Sequence, residues 1–232
     1  MRRFLLLLLL TPSWCFGVGP TNLYLDSVRT LWQPTACVVD VSGPCYFRLQ
    51  TVRGSYVDEG WLATLTGAVT GQNWNSTNTV MKYANTNEAL FLSAPLSSAV
   101  TISGTITPNL WVKESNAAAN GALRFEVFWW SPTGGLQSIG VSTDGGMTEC
   151  GTTYAVRTTP TLTPTSTSFA VGDRVGAAFY IDDGNGVTMA SGYNVYLDWG
   201  GATAGLDGDS YLTFTEALSF SADSNNARAF GQ

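Results

Sequence analysis

The feature that most constrains this chain is a period-two alternation of side chains that recurs almost from end to end. In "RFEVFWWSPTGG", residues 124–135, a strand would place Leu123, Phe125, Val127 and Trp129 on one face. Arg124, Glu126, Phe128 and Trp130 would fall on the other. The first set reads as a core face. The second begins charged and ends in two large aromatics, which is unusual for a surface that meets only water.

The same alternation marks "TNLYLD", "CYFRLQTV", "EALFLSA", "AVTISGTI", "NLWVKES", "VGAAFYI", "YNVYLDW" and "YLTFTEALSF". These runs are short, rich in Val, Ile, Thr and aromatics, and separated by Gly, Pro, Asn, Asp and Ser. No stretch sustains a helical pattern; the nearest, "NEALFLSAPL", is cut by Pro95. The expected fold class is all-β, an antiparallel β-sandwich of jelly-roll type with an N-terminal elaboration. Residues 1–17 read as a leader, 18–72 as the elaboration, 73–222 as the jelly roll and 223–232 as a flexible tail. The expected core is Leu123, Phe125, Val127, Trp129, Ile102, Ile106, Phe179, Ile181, Val195, Leu197, Leu212, Phe214 and Phe220. "TNLYLD" should lie beside "YLTFTEALSF", because sandwich termini commonly meet at one edge. Glu216 interrupts the apolar face of that last run, which predicts a bulge or an edge position. "RTTPTLTPTSTS", residues 157–168, reads as a long exposed connection of the Greek-key kind.

At the N-terminus, "MRRFLLLLLLTPSWCFGVGP" has two arginines, an apolar run from Phe4 to Leu10, a break at Thr11-Pro12, and small residues at Cys15 and Gly17. This is the layout of a secretory leader cut after Gly17. The apolar run falls well short of the ~20 residues that span a bilayer, so no transmembrane span is expected. Past the leader, Cys37 and Cys45 flank "VVDVSGP", whose Ser-Gly-Pro can turn a hairpin and bring the two sulfurs together. Three reduced, buried cysteines are an equal alternative. In the disulfide reading Cys150 is left over.

The chain has no histidine. That removes the Ser-His-Asp triad, the Cys-His pair, histidine zinc sites and the commonest general base together. Lys82 and Lys113 are the two lysines, and Lys113 in "WVKES" reads as a solvated strand residue rather than half of a Ser-Lys dyad. Adjacent acids at Asp58-Glu59 and Asp182-Asp183 are better turn formers than a glycosidase pair. No enzyme is expected and no catalytic residue is assigned. A net charge of −6 without a basic stripe argues against nucleic acid as a partner. The acidic loops "IDDGNG" and "LDGDSY" offer Asp182, Asp183, Asn185, Asp207 and Asp209 at strand ends. Tight turns are the favoured reading of these residues, and a structural Ca²⁺ held by their oxygens is the alternative. No other cofactor is implied.

Two stretches carry a family resemblance: "FLSAPLSSAVTISGTITPNLWVKESNAAAN" and "MASGYNVYLDWGGATAGLDGDSYLTFTEALSF". The "SAPL", "TISGT", "LW…ES" and "YLTFTE" strands with the "GD" turn resemble β-sandwich virion structural proteins of tailed bacteriophages, over residues from about 75 to 220. More distantly, the "PL…ISG…LW" run is similar to the C-terminal jelly-roll domain of X-prolyl dipeptidyl peptidases and cocaine-esterase-like hydrolases, an accessory domain without the nucleophile. The first resemblance implies a decoration, tail or fibre-associated component in the virion. Its partners would be other copies of the chain or neighbouring virion proteins. The alternatives are a secreted carbohydrate-binding or adhesion module and a stand-alone accessory domain of an enzyme. Phe128, Trp130 and Tyr196 are the candidate contact residues, for a protein interface or for a glycan.

Overall fold

The computed structural model describes residues 20–29, 45–50, 58–62, 81–83, 87–143, 146–182, 193–199 and 210–221. All regular structure among them is strand. In chain order the strands are β1 (Thr21–Arg29), β2 (Cys45–Gln50), β3 (Asp58–Leu62), β4 (Met81–Tyr83), β5 (Asn87–Ser93), β6 (Val100–Ile102), β7 (Ile106–Asn109) and β8 (Trp111–Glu114). They continue as β9 (Ala122–Ser131), β10 (Gly135–Val141), β11 (Ala155–Val156), β12 (Thr167–Phe169), β13 (Arg174–Asp182), β14 (Val195–Trp199) and β15 (Tyr211–Phe214).

Two sheets share β5. One runs β10-β9-β13-β5-β2-β1-β15-β7, and the other β11-β8-β14-β3-β4, joined to the start of β5 through Lys82 opposite Glu88 and Tyr83 opposite Asn87. A separate ribbon pairs β6 with β12. Consecutive strands change sheet, β7 to β8 to β9 and again β13 to β14 to β15, as jelly-roll connections do. Pairing is antiparallel throughout except between β2 and β5, which run parallel from Cys45 opposite Ala89 to Leu49 opposite Ser93. A parallel neighbour needs a crossover connection, and the chain supplies one by visiting β3 and β4 in the second sheet between them. The expected meeting of the ends is present: β1 pairs with β15, Thr21 opposite Phe214 and Tyr24 opposite Tyr211.

The core draws on both sheets. Phe125, Val127, Phe179, Leu212 and Phe214 from the first, and Val112, Val195 and Leu197 from the second, belong to one buried cluster. Of the thirteen residues expected inside, eleven are buried, while Trp129 and Phe220 are half-buried and packed against the same cluster. Phe91 meets Phe179 edge to face at 5.6 Å between ring centroids. Ser210 ties the sheets at one end, its carbonyl accepting from the Leu25 amide at 3.0 Å and its hydroxyl from the Trp111 amide at 2.9 Å.

Two sequence expectations change. The 157–168 segment is exposed at every second or third residue, as expected, but it is anchored rather than free. Leu162, 3% exposed, exchanges both backbone hydrogen bonds with Ile106 of β7, and the Thr165 amide donates to the Ile139 carbonyl of β10 at 2.8 Å. Since β7 and β10 are the two ends of the first sheet, this segment straps them together and covers backbone that would otherwise stand open. Its Thr and Pro content disguised one apolar anchor, Leu162. Glu216, in turn, lies in neither a bulge nor an edge strand, because β15 stops at Phe214 and the chain bends. Its Oε1 accepts the Ser103 and Gly104 amides at 2.8 and 2.6 Å. Burial raises the Glu216 carboxyl, but those two amides, its own amide and the Thr215 hydroxyl together outweigh burial and hold it below its ordinary value. Residues 1–17 and 223–232 lie outside the described residues. No helix among those described is long and apolar enough to cross a membrane.

Phe125→Ala should cost about 3 to 5 kcal/mol in denaturant unfolding, as expected for a ring with no exposed surface. The strap gives a sharper test. At Gly140, where the β9–β10 register shifts, an added Cβ would come within 2.8 Å of Leu162 Cδ1. Gly140→Ala should therefore cost about 1 to 3 kcal/mol by crowding, and Leu162→Ala about 2 to 5 by leaving a void. In the double variant the methyl moves into space Leu162 vacates, so the combined loss should fall below the sum of the singles.

Candidate functional site

The residues singled out in the sequence fall in separate places. Phe128 and Trp130 lie on β9 in the first sheet, and Tyr196 on β14 in the second. Trp130 is 9% exposed, and its ring faces the Arg174 guanidinium at 5.7 Å, while Phe128 is half-buried. Asp183, Asn185, Asp207, Asp209 and Cys37 lie outside the described residues, and of Asp182 and Cys45 only the places in β13 and β2 are described. Among the described residues no three acids or cysteines gather in a way that could hold a metal ion.

Around Arg124, Glu126, Arg174 and Tyr180 the far face of the first sheet, which the alternation marked as odd, is buried like the near one. Strand β13 pairs with β9 from Arg174 opposite Trp130 to Asp182 opposite Ala122. The residues aimed away from the core include Arg124, Glu126, Arg174 and Tyr180, all 7% exposed or less. Charges so placed need partners, and they have them. Arg124 donates to the Ser142 carbonyl through Nη2 at 2.6 Å and Nε at 3.1 Å. Arg174 Nη1 donates to the Ser93 carbonyl at 2.7 Å. The Tyr180 hydroxyl donates to Glu126 Oε2 at 2.7 Å. Burial pushes the Glu126 carboxyl above its ordinary range, with the Ser138 and Tyr180 hydroxyls pulling the other way. Sequence reading had Arg124 and Glu126 on this face but missed Tyr180, because the pairing that sets it beside Glu126 joins segments 54 residues apart.

A second buried group lies under the other sheet. Cys150, 1% exposed, is a free thiol pushed up to about 12 by burial first and by the nearby Glu114 carboxyl next. Such a thiol carries almost no thiolate at neutral pH and is chemically inert. Glu114 is itself raised by burial and accepts the Gly121 amide at 3.4 Å. The Arg157 guanidinium lies against Gly151, where a side chain would collide with it.

The half-exposed polar cluster lies on the second sheet. Lys113 of β8 stands opposite Tyr196 of β14, and its ammonium lies 4.1 Å from the ring centre of Tyr154 and 5.0 Å from that of Tyr196. Asn194 Nδ2 donates to the Tyr196 hydroxyl at 3.2 Å. Lys113 is thus a cation held between two rings rather than a solvated strand residue. The sequence signal was Lys113 and Tyr196 at outward positions of their strands; Tyr154, in an irregular stretch, gave none.

Glu126 supplies the pH test of this geometry. A carboxyl raised by folding favours the native state while protonated, and that contribution fades as pH rises through its folded value. Glu126→Gln keeps an acceptor for Tyr180 and never ionises. The melting temperature of the variant relative to wild type should therefore be higher at pH 7 than at pH 4. A difference that does not change with pH would show that the carboxyl pays no ionisation cost in the folded protein.

No family model matches the sequence, and neither does any curated protein. Solved structures do resemble the fold. A CocE/NonD family hydrolase from Staphylococcus aureus is 10% identical with a TM-score of 0.47, the match covering 88% of this chain and 37% of that one. An aminopeptidase from a marine sediment archaeon, Thaumarchaeota archaeon, is 12% identical with a TM-score of 0.47, covering 84% and 36%. An alpha-amino acid ester hydrolase is 10% identical with a TM-score of 0.46, covering 86% and 36%. The chain thus spans little more than a third of the length of these enzymes, and the activities in their names belong to them.

Proposed function

We propose that this chain is a non-enzymatic structural component of a tailed-phage virion, a β-sandwich that acts through contact with other copies or with neighbouring virion proteins. The observation that carries the reading is that the buried charged side chains of β9, β13 and the turn before β13 are committed to the fold. Arg124, Glu126 and Arg174 are bonded to partners within the first sheet or at its margins. Asp173 accepts the Trp129 indole and the Ala170 amide, both at 2.7 Å. None of these is aligned between a nucleophile and an orienting group as acyl or phosphoryl transfer would need. With the interior given to stability, the outward surface is left to carry function. The sequence resemblance of the "SAPL", "TISGT" and "YLTFTE" strands to virion proteins supports the particular setting.

The Lys113–Tyr154–Tyr196 cluster favours a second reading, a glycan-binding module, because paired rings beside a cation and an amide suit the faces and hydroxyls of a sugar. Particles banded in a density gradient from the source culture separate the two. The virion reading expects the chain in the particle band, in fixed proportion to the other particle proteins after repeated banding. Recovery only as free protein that a polysaccharide resin retains, with retention lost in Tyr196→Ala, would overturn it in favour of the glycan module.

A further inference from the structure

We propose that the β10 edge of the first sheet is a self-association surface, pairing antiparallel with β10 of a second copy about a two-fold axis. The proposal rests on the assembly reading above and names the surface that would serve it. Strand β10 ends the first sheet and, among the described strands, pairs with β9 alone. Its two halves differ. At Ile139 and beyond, the register shifts and the Thr165 amide of the strap takes up the Ile139 carbonyl, so that half is bulged and covered. From Gly135 to Ser138 the pairing with β9 is regular, Gly135 opposite Ser131 through Ser138 opposite Phe128. Leu136, Gln137 and Ser138 are all exposed there, as is the adjoining turn Pro132–Gly134. In an antiparallel ladder alternate residues direct their N–H and C=O groups away from the neighbour, so this half points main-chain donors and acceptors outward.

Proteins ordinarily guard such an edge with a lysine, a proline or an inward-pointing charge. None is present in "GLQSIGV", and no charged residue occurs from Val127 to Thr143. Leu136, on the side of the sheet shared with Trp130, is one of three large apolar side chains well exposed among the described residues, at 37%. Charge selects the occupant. Two copies of a chain with net charge −6 repel over most of their surfaces, and a self-pairing contact is tolerated best where the surface is neutral. Antiparallel β10–β10 pairing brings together two segments that carry no charge. It also continues the first sheet from one copy into the next and covers both Leu136 side chains.

Sedimentation velocity on the whole chain, from dilute to concentrated, tests this. Wild type should show a monomer–dimer equilibrium, and Leu136→Lys should weaken it about tenfold or more by placing two ammonium groups across the axis. The melting temperature of dilute Leu136→Lys should match that of dilute wild type. Val171→Lys, at a 65% exposed position in the turn before β13, should leave dimerisation unchanged. Gln137→Cys under mild oxidation should give a covalent dimer that wild type does not form. A chain that stays monomeric at every concentration overturns the proposal. So does a dimer that Leu136→Lys leaves intact and Gln137→Cys fails to cross-link; that outcome, with the chain present in particle bands, leaves the assembly reading standing on another face.

Discussion

The β9–β13 ladder is buried on both faces, and the rest of the structure answers to that constraint. A ladder of this kind in an all-α/β protein would be apolar throughout, because a polar group taken from water needs a partner. Here one face obeys that rule with Phe125, Val127, Val175 and Phe179. The other carries Arg124, Glu126, Arg174 and Tyr180, and is stable only because each charge meets a fixed partner at hydrogen-bond distance. Removing the Tyr180 hydroxyl would leave the buried Glu126 carboxyl short of a donor, at a cost of roughly 1 to 3 kcal/mol. The arrangement gives direction as well as stability, since Tyr180 reaches Glu126 in one register and a slip of one residue would turn it to the opposite face.

The junctions at the strand ends extend the same economy of polar groups. Asp173, just before β13, accepts the Trp129 indole and the Ala170 amide, and its carbonyl accepts the Leu96 amide. One buried residue therefore fixes the turn and the ring that lies edge-on to Phe169 through its side chain, and the exit from β5 through its carbonyl. The turn itself requires Gly172, whose φ of 91° lies in the left-handed region where a Cβ is unfavourable. Glu216 likewise binds two consecutive amides of the β6–β7 link. In both places a carboxylate beside a strand end takes up main-chain donors of the neighbouring loop.

Much of the fold was legible because alternation reports face and burial directly. Phe125, Phe179, Val195, Leu197, Leu212 and Phe214 were placed inside from spacing alone, and all have little or no exposed surface. Partnership was less legible. Nothing local in "CYFRLQ" distinguishes a parallel neighbour from an antiparallel one, and the Thr-Pro-rich strap hid its anchor because Leu162 is a single apolar residue in a polar run. The contact residues were the hardest to read. Phe128, Trp130 and Tyr196 were chosen as outward aromatics, but whether an outward position meets water depends on what crosses over it. Trp130 is covered, whereas Tyr196 shares a half-exposed cluster with Lys113 and Tyr154.

The pairing of β1 with β15 orders events in time. The Thr213 hydroxyl bonds to the Asn22 side chain and the Leu218 amide to the Thr21 hydroxyl, contacts that span 191 and 197 residues. A ribosome makes β1 first and reaches β15 only when nearly everything between is built. Until then one side of β1 has no neighbour, and Leu23 and Leu25, sealed in the finished protein, lack the strand that closes over them. Closure is necessarily late and slow, as it is for topologies dominated by distant pairings. A nascent chain of this kind therefore passes through a window in which β1 is open to partners other than β15, and that window lasts at least as long as translation of the residues between them, whatever the strength of the final fold.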